Sequence, residues 1–141
     1  VSALAALATD DDWLVSLRAL DLLEKLAHEH PEWVEPHRDV FLGCLAESDK
    51  WEIHLQIVRA LPLFDWMPAD RARAVKILCR DLDHPQKFVR AWALDSLATF
   101  AVRNKRLRPV VESALKDFEA SQSKALITRA RHIRRKLRGI E

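Results

Sequence analysis

The stretch DHPQKFVRAWALDSL (residues 83–97) decides the fold of the chain. It opens with a turn, because a helix rarely continues through the residue before a proline, here Pro85. Val89, Leu94 and Leu97 follow at spacings i, i+5 and i+8. These spacings place the three side chains on one broad face of a helix with about 3.6 residues per turn. We therefore predict an amphipathic helix that begins directly after the turn.

The same apolar positions recur along the whole chain. The positions equivalent to Val89 are spaced by 38, 36 and 36 residues. A second register of valines, spaced by 35, lies between them. The two registers indicate two helices per repeat, A and B. The B-helix core positions are Val15, Leu20 and Leu23; Ile53, Val58 and Leu61; Val89, Leu94 and Leu97; and Ala125, Ala130 and Ile133, and the A-helix register is Val40, Val75 and Val110.

Polar residues and prolines mark the ends of eight predicted helices. Pro62 predicts a kink or an early end of helix B2, followed by a hydrophobic cap over residues 63–66. Residues 1–8 are expected to be the second half of a helix, so the chain is expected to be a fragment or a mature form. The predicted helices are A1 at 1–8, B1 at 12–29, A2 at 36–47, B2 at 50–64, A3 at 69–82, B3 at 86–102, A4 at 106–119 and B4 at 122–138.

The residues at 83–94 resemble the HEAT-repeat family, which has an Asp in the turn and Val-Arg-x-x-Ala-Leu in helix B. Residues 12–20 and 49–53 are looser copies of this motif. The resemblance implies an all-α fold, a right-handed α-α superhelix or solenoid of about four helix pairs with the first pair incomplete. It also implies one domain over residues 1–141 whose B helices line a concave binding surface.

Composition narrows the class of protein. Only two glycines occur, and no apolar run approaches the roughly 20 residues that a membrane span needs. Cys44 and Cys79 lie in apolar runs without a CxxC pair, so we expect reduced, buried thiols and a cytoplasmic location. The charge is polarised: residues 1–70 hold 5 Lys or Arg against 14 Asp or Glu, net −9, whereas residues 71–141 hold 18 against 7, net +11. Such asymmetry bears on partners and not on the fold.

Enzymatic motifs are missing from the sequence, and we expect no catalytic, cofactor-binding or metal-binding residues. The two histidines of His28-Glu29-His30 point in divergent directions on a helix, so they do not predict a metal site. Some HEAT-like proteins are alkylpurine DNA glycosylases, and that resemblance implies a carboxylate four residues, about one helical turn, after an aromatic residue. Here Trp92 and Asp95 are three residues apart, which is not the spacing of that family.

The columns of the aligned B helices that are not core predict the partner-binding residues. Trp92 stands out because its repeat counterparts are polar. Two interpretations remain open for it: an exposed anchor for a partner, or an indole packed sideways against B2 or B4. The other four tryptophans lie near helix ends and are predicted to pack at the seams between repeats. The candidate partner-binding residues are Arg18, Asp21, Gln56, Arg59, Trp92, Asp95, Arg131, Arg135 and Arg138.

Helix B4 carries seven Lys or Arg and no acid between Lys124 and Arg138. It could cap the stack with a polar face, bind phosphates, or dock on an acidic protein. We expect a non-enzymatic scaffold or interaction module that binds a protein or peptide on the B-helix surface. The alternative is nucleic-acid binding through the basic C-terminal half, and a DNA glycosylase is a weaker one. The residues predicted to hold nucleic acid are Lys124, Arg131, Arg134, Arg135 and Arg138.

Overall fold

A computed structural model describes residues 1–139, apart from the side chains of residues 44 and 45. The only regular secondary structure among these residues is helical, and no strand occurs among them, as the sequence predicts. None of the helices in this part of the chain is long and apolar enough to cross a membrane. The α-helices are α1 (Ser2–Leu7), α2 (Trp13–Glu29), α3 (Pro31–Val34), α4 (Trp51–Ala60), α5 (Pro68–Asp81), α6 (Lys87–Ala101), α7 (Arg108–Ala120) and α8 (Lys124–Arg138).

The predicted helix A2 is the one element that differs in kind. In its place α3 is followed by two short 3-10 segments, Glu35–Phe41 and Cys44–Glu47. Pro31 occupies the first position of α3, so the helix starts earlier than predicted. Pro36 then has no N–H to donate to the preceding turn, which stops the α-helical hydrogen-bond ladder. Gly43 adds a residue with poor helix propensity.

Pro62 ends helix B2, as predicted. The α-helix α4 stops at Ala60, and residues 61–63 continue as a 3-10 turn. Phe64 and Trp66 are buried behind this turn. The indole N–H of Trp66 donates to the carbonyl of Leu61 at 2.8 Å, so the one polar group of this buried side chain has a hydrogen-bond partner.

Two compact units make up the chain, and their boundary falls within α5: unit 1 is Val1–Ile77 and unit 2 is Leu78–Glu141. Unit 1 is centred on α2, which packs against α1, α3 and α4. The side chain of Asp12 caps α2 by accepting from the backbone N–H of Leu14 at 3.0 Å. Leu20 and Leu23 of α2 are fully buried, as is Val58 of α4. The predicted B1 and B2 faces therefore form this core.

Unit 2 is a three-helix layer in which α6, α7 and α8 all contact one another. The central helix α6 is buried on more than one side. The core of α8 consists of Leu126, Ala130 and Ile133, at spacings i, i+4 and i+7. Ala125, predicted as a core residue, is exposed instead. The apolar stripe of α8 begins one residue later than the repeat alignment placed it, because the larger Leu126 side chain buries more apolar surface.

The A-helix register also needs correction. Val110 is exposed, and Val40 and Val75 are only half-buried. A neighbour of each is buried in its place, and these neighbours are Phe41, Ala74 and Val111. The regular 35-residue spacing of valines therefore marks the side of the A helices and not their buried face.

Candidate binding surface on the basic helix α8

Helix α8 begins at a local cap. The hydroxyl of Ser123 accepts from the backbone N–H of Leu126 at 3.3 Å. The hydroxyl of Ser121 donates to the carbonyl of Phe118 at 2.8 Å and closes α7. One side of the helix is the buried apolar stripe, and its seven cations lie outside that stripe. Their surroundings divide them into two groups.

Arg134 belongs to the first group, the cations neutralised inside unit 2. Its guanidinium donates two hydrogen bonds to Glu112, at 2.9 and 3.1 Å, and two to Glu119, at 2.6 and 2.7 Å. Hydrogen bonds from Arg134 lower the pKa of both carboxyls, and the two carboxylates raise the pKa of Arg134. This fork joins α7 to α8 with charge-assisted bonds.

Asp95 of α6 neutralises two more cations of α8. One of its carboxylate oxygens accepts from Arg129 at 3.1 Å, and the other accepts from Lys136 at 2.7 Å. The ammonium of Lys136 also donates to the backbone carbonyl of Asp95 and to the hydroxyl of Thr99, both at 3.0 Å. Asp95, a predicted partner-binding residue, is therefore held inside unit 2 by two cations from the neighbouring helix.

Trp92 lies one turn before Asp95 and is half-buried. The guanidinium carbon of Arg129 lies 4.4 Å from the centroid of the indole ring, so the cation covers one face of the ring. Two interpretations of this tryptophan were open, an exposed anchor and sideways packing. The contact with Arg129 supports packing against α8, which is the predicted B4.

The second group consists of four exposed cations, which we call the basic stripe. Among residues 1–139 they form no ion pair and no side-chain hydrogen bond. At about 100° and 1.5 Å per residue, their positions fall within an arc of roughly 60° and a length of roughly 21 Å. The basic stripe is Lys124, Arg131, Arg135 and Arg138.

Most of the predicted partner-binding residues of unit 1 have contacts within the unit, unlike the cations of the basic stripe. Asp21 pairs with Lys25 at 2.9 Å on the same helix. Arg59 lies 3.2 Å from Glu24. The side-chain oxygen of Gln56 is buried and accepts no hydrogen bond from the described residues. Arg18 alone is exposed without a described side-chain partner.

The sequence missed Glu24, the most buried acid of unit 1. Its side chain is 1% exposed, and it lies between α2 and α4 beside Arg59. Its Oε1 atom is 2.6 Å from Nε2 of His28 one turn further along α2. His28 therefore has a local structural partner, and His30 stacks on Trp33 at 3.9 Å between ring centroids. The described part of the chain brings together no set of three His, Cys, Asp or Glu side chains fit for a metal.

The other aromatic side chains and the thiol of Cys79 differ in how far they are buried. Trp66 is buried, but Trp33 and Trp51 are exposed, so they do not fill seams as predicted. Cys79 is a free, half-buried thiol whose pKa is raised by burial. The side chain of Cys44 lies outside the described residues.

The charges of the two units differ in sign. Unit 1 holds 8 Lys or Arg and 14 Asp or Glu, net −6. Unit 2 holds 15 Lys or Arg and 7 Asp or Glu, net +8. The basic stripe therefore lies on a unit that is basic as a whole. The chain matches no protein-family model, and it matches no curated protein sequence.

Proposed function

We propose that the chain is a non-enzymatic interaction module that binds an acidic protein or peptide through its B-helix surface, chiefly through the basic stripe of α8. The observation that carries this proposal is the division of the α8 cations. Three of them are neutralised by acids of α6 and α7, and four are not neutralised by any described residue. An array of like charges on one ridge attracts and orients a partner of opposite charge.

The proposed architecture is a HEAT-like solenoid, a right-handed superhelix of about four helix pairs. The contacts inside each unit support it. In unit 1, α2 packs against α4, and in unit 2, α6 packs against α8. These are consecutive B helices, and stacking of equivalent helices is what an α-solenoid requires.

The surroundings of Asp95 support a binding role and not a glycosylase. A carboxylate that serves in catalysis must be free to meet the substrate. Asp95 is held by Arg129 and Lys136, and the guanidinium of Arg129 covers the adjacent indole of Trp92. The carboxylate of Asp95 and one face of the Trp92 indole are therefore already occupied by cations of α8.

Nucleic acid is the second candidate partner. The observation that favours it is a further group of exposed cations on the same unit, between the end of α6 and the first residue of α7: Arg103, Lys105, Arg106 and Arg108. Arg134, predicted as a phosphate contact, is held by Glu112 and Glu119 instead. The formal net charge of +2 and the acidic unit 1 disfavour duplex DNA more than a short acidic peptide, because DNA carries the higher density of negative charge.

Fluorescence anisotropy with a labelled acidic peptide and with labelled duplex and single-stranded oligonucleotides tests the proposal. We expect the double variant Arg131→Gln/Arg135→Gln to weaken peptide binding roughly tenfold, from about 1 kcal/mol or less per charge. The matched control Lys76→Gln/Lys116→Gln removes the same net charge from exposed positions outside the stripe. It is expected to weaken binding less than about threefold.

The outcomes separate the two partners. If no acidic peptide binds at low salt, the proposed function is wrong. If the oligonucleotides bind more tightly and log K falls steeply with log salt, nucleic acid is the partner. If the stripe variant and its control weaken the peptide equally, net charge and not the basic stripe accounts for binding.

A further inference from the structure

A cavity of about 250 Å³ opens at one end of unit 2, where α6 ends, α7 begins and α8 ends. Val102, Val111 and Leu137 contribute its apolar wall. Liquid water takes about 30 Å³ per molecule, so the cavity has room for one side chain or small group. Small-group sites in proteins are typically concave and apolar with a few convergent polar groups.

Four charged residues line the same cavity: Arg108, Glu112, Arg134 and Arg138. Glu112 and Arg134 neutralise each other through two hydrogen bonds. Arg108 and Arg138 have no ion pair or side-chain hydrogen bond within residues 1–139. Two arginines from different helices therefore line one small space together with a fixed ion pair.

The helix dipole makes this arrangement of charge unfavourable in the absence of an anion. Helix α7 begins at Arg108 and has no acid in its first turn. Two further cations, Lys105 and Arg106, lie in the 3-10 segment just before it. The N-terminus of a helix carries a partial positive charge, so each cation there is unfavourable, whereas an anion is stabilised.

We propose that this cavity receives one acidic side chain of the partner, a carboxylate or a phosphoryl group on an aliphatic stem. The oxyanion lies between Arg108 and Arg138, which supply forked N–H donors suited to carboxylate and phosphate. The stem packs against Val102 and Leu137. This inference rests on the proposed function and names a specific subsite for it, with Arg138 shared between the cavity and the basic stripe.

Three versions of one acidic peptide test this subsite, with Ser, Glu or phosphoserine at a single central position. We expect wild-type protein to bind the Glu or phosphoserine version about tenfold more tightly than the Ser version, because one charge-assisted pair is gained. Arg108→Gln is expected to abolish this preference and leave binding of the Ser version within about threefold of wild type.

Arg106→Gln is the matched control, since it removes the same charge two residues away and does not line the cavity. It is expected to keep the preference. Equal preferences in the Arg108 and Arg106 variants, or no preference in wild type, would overturn the subsite. A larger preference for phosphoserine than for Glu assigns the site to a phosphorylated partner, and equal preferences assign it to a carboxylate.

Failure of the subsite is distinguishable from failure of the proposed function. If the Ser version binds through the basic stripe and the three peptides bind equally, only the subsite is wrong. If none of the peptides binds, the proposed function is wrong and the subsite falls with it. Far-UV circular dichroism of Arg108→Gln checks that the helices are intact, as expected for an exposed side chain.

Discussion

Replacing Arg134 with glutamine removes the ion pairs that join α7 to α8. The guanidinium makes four hydrogen bonds to two carboxylates, and all three side chains are between 29% and 46% exposed. Partly exposed pairs are screened by water and typically contribute about 0.2–1 kcal/mol each. Forked geometry places these two pairs near the upper end of that range. We therefore expect the variant to lose about 1–2 kcal/mol of unfolding free energy, including the Glu112–Glu119 repulsion that it exposes.

Thermal unfolding followed by circular dichroism measures this loss. A change of 1 kcal/mol shifts Tm by roughly 2–8 °C for chains of this size class, so the expected drop is of that order or somewhat larger. Arg135→Gln is the matched control, because Arg135 is the next residue, is exposed and makes no described ion pair. Its Tm is expected to stay within about 2 °C of wild type.

The pH dependence supplies a second, independent measurement. Arg134 lowers the pKa of both Glu112 and Glu119 below their ordinary value of 4.5. A carboxyl whose folded pKa is depressed stabilises the fold above its unfolded pKa, and that stability disappears as pH falls through the folded pKa. The Tm difference between wild type and Arg134→Gln should therefore be full at pH 7 and close progressively below about pH 4.5.

Two results would refute this reasoning about Arg134. A Tm of Arg134→Gln equal to that of Arg135→Gln at pH 7 would show that the fork contributes nothing beyond net charge. A Tm difference that persists unchanged at pH 3 would show that the loss comes from packing of the arginine stem and not from the two carboxylates.

Two further substitutions test the cores of the two units. Glu24→Ala is expected to cost about 2–4 kcal/mol of unfolding free energy in urea, because it removes a carboxylate that is 1% exposed and pairs with Arg59. Its control, Glu29→Ala on the exposed side of α2, should cost under about 0.5 kcal/mol. Ala130→Gln is expected to cost more than about 2 kcal/mol by overpacking a fully buried site, and Ala125→Gln should be nearly neutral; a large loss at Ala125 would restore the original register of α8.

The B helices were predictable because their signal is the core itself. Buried Leu, Ile and Val recur with the helical period, and caps and prolines bound them, so α6 at Lys87–Ala101 lies within one residue of the predicted helix at each end. Helix A2 was not predictable in the same way. Residues 31–47 contain two prolines and a glycine, which weaken the α-helical hydrogen-bond ladder, and the buried Phe41 packs from a 3-10 segment there.

Charge pairing was beyond the reach of sequence for a different reason. The repeat alignment placed Asp95 and Arg131 in the same column of B3 and B4. That column predicted exposed positions and no ion pair, whereas the structure pairs Asp95 with Arg129 and Lys136. One residue of register rotates a helix by about 100°, which is enough to exchange an inward-facing cation for an outward-facing one. The shift of the α8 core from Ala125 to its neighbour is a shift of that size.

The sign of the charge on α8 has two separate causes. Part of it is internal, because three acids on α6 and α7 need partners and α8 supplies Arg129, Arg134 and Lys136. The second cause is the helix dipole, which favours cations in the last turn, where Arg135 and Arg138 of the basic stripe lie.

Neither cause applies to Lys124 and Arg131. Lys124 occupies the first position of α8, where the dipole disfavours a cation, and Arg131 lies one turn from Arg135, at a spacing where like charges destabilise a helix by a few tenths of a kcal/mol. For the stability of the fold alone, neutral or acidic residues would be more favourable at both positions. Their presence on an exposed ridge is a cost to unit 2, and the anionic partner that we propose would offset this cost.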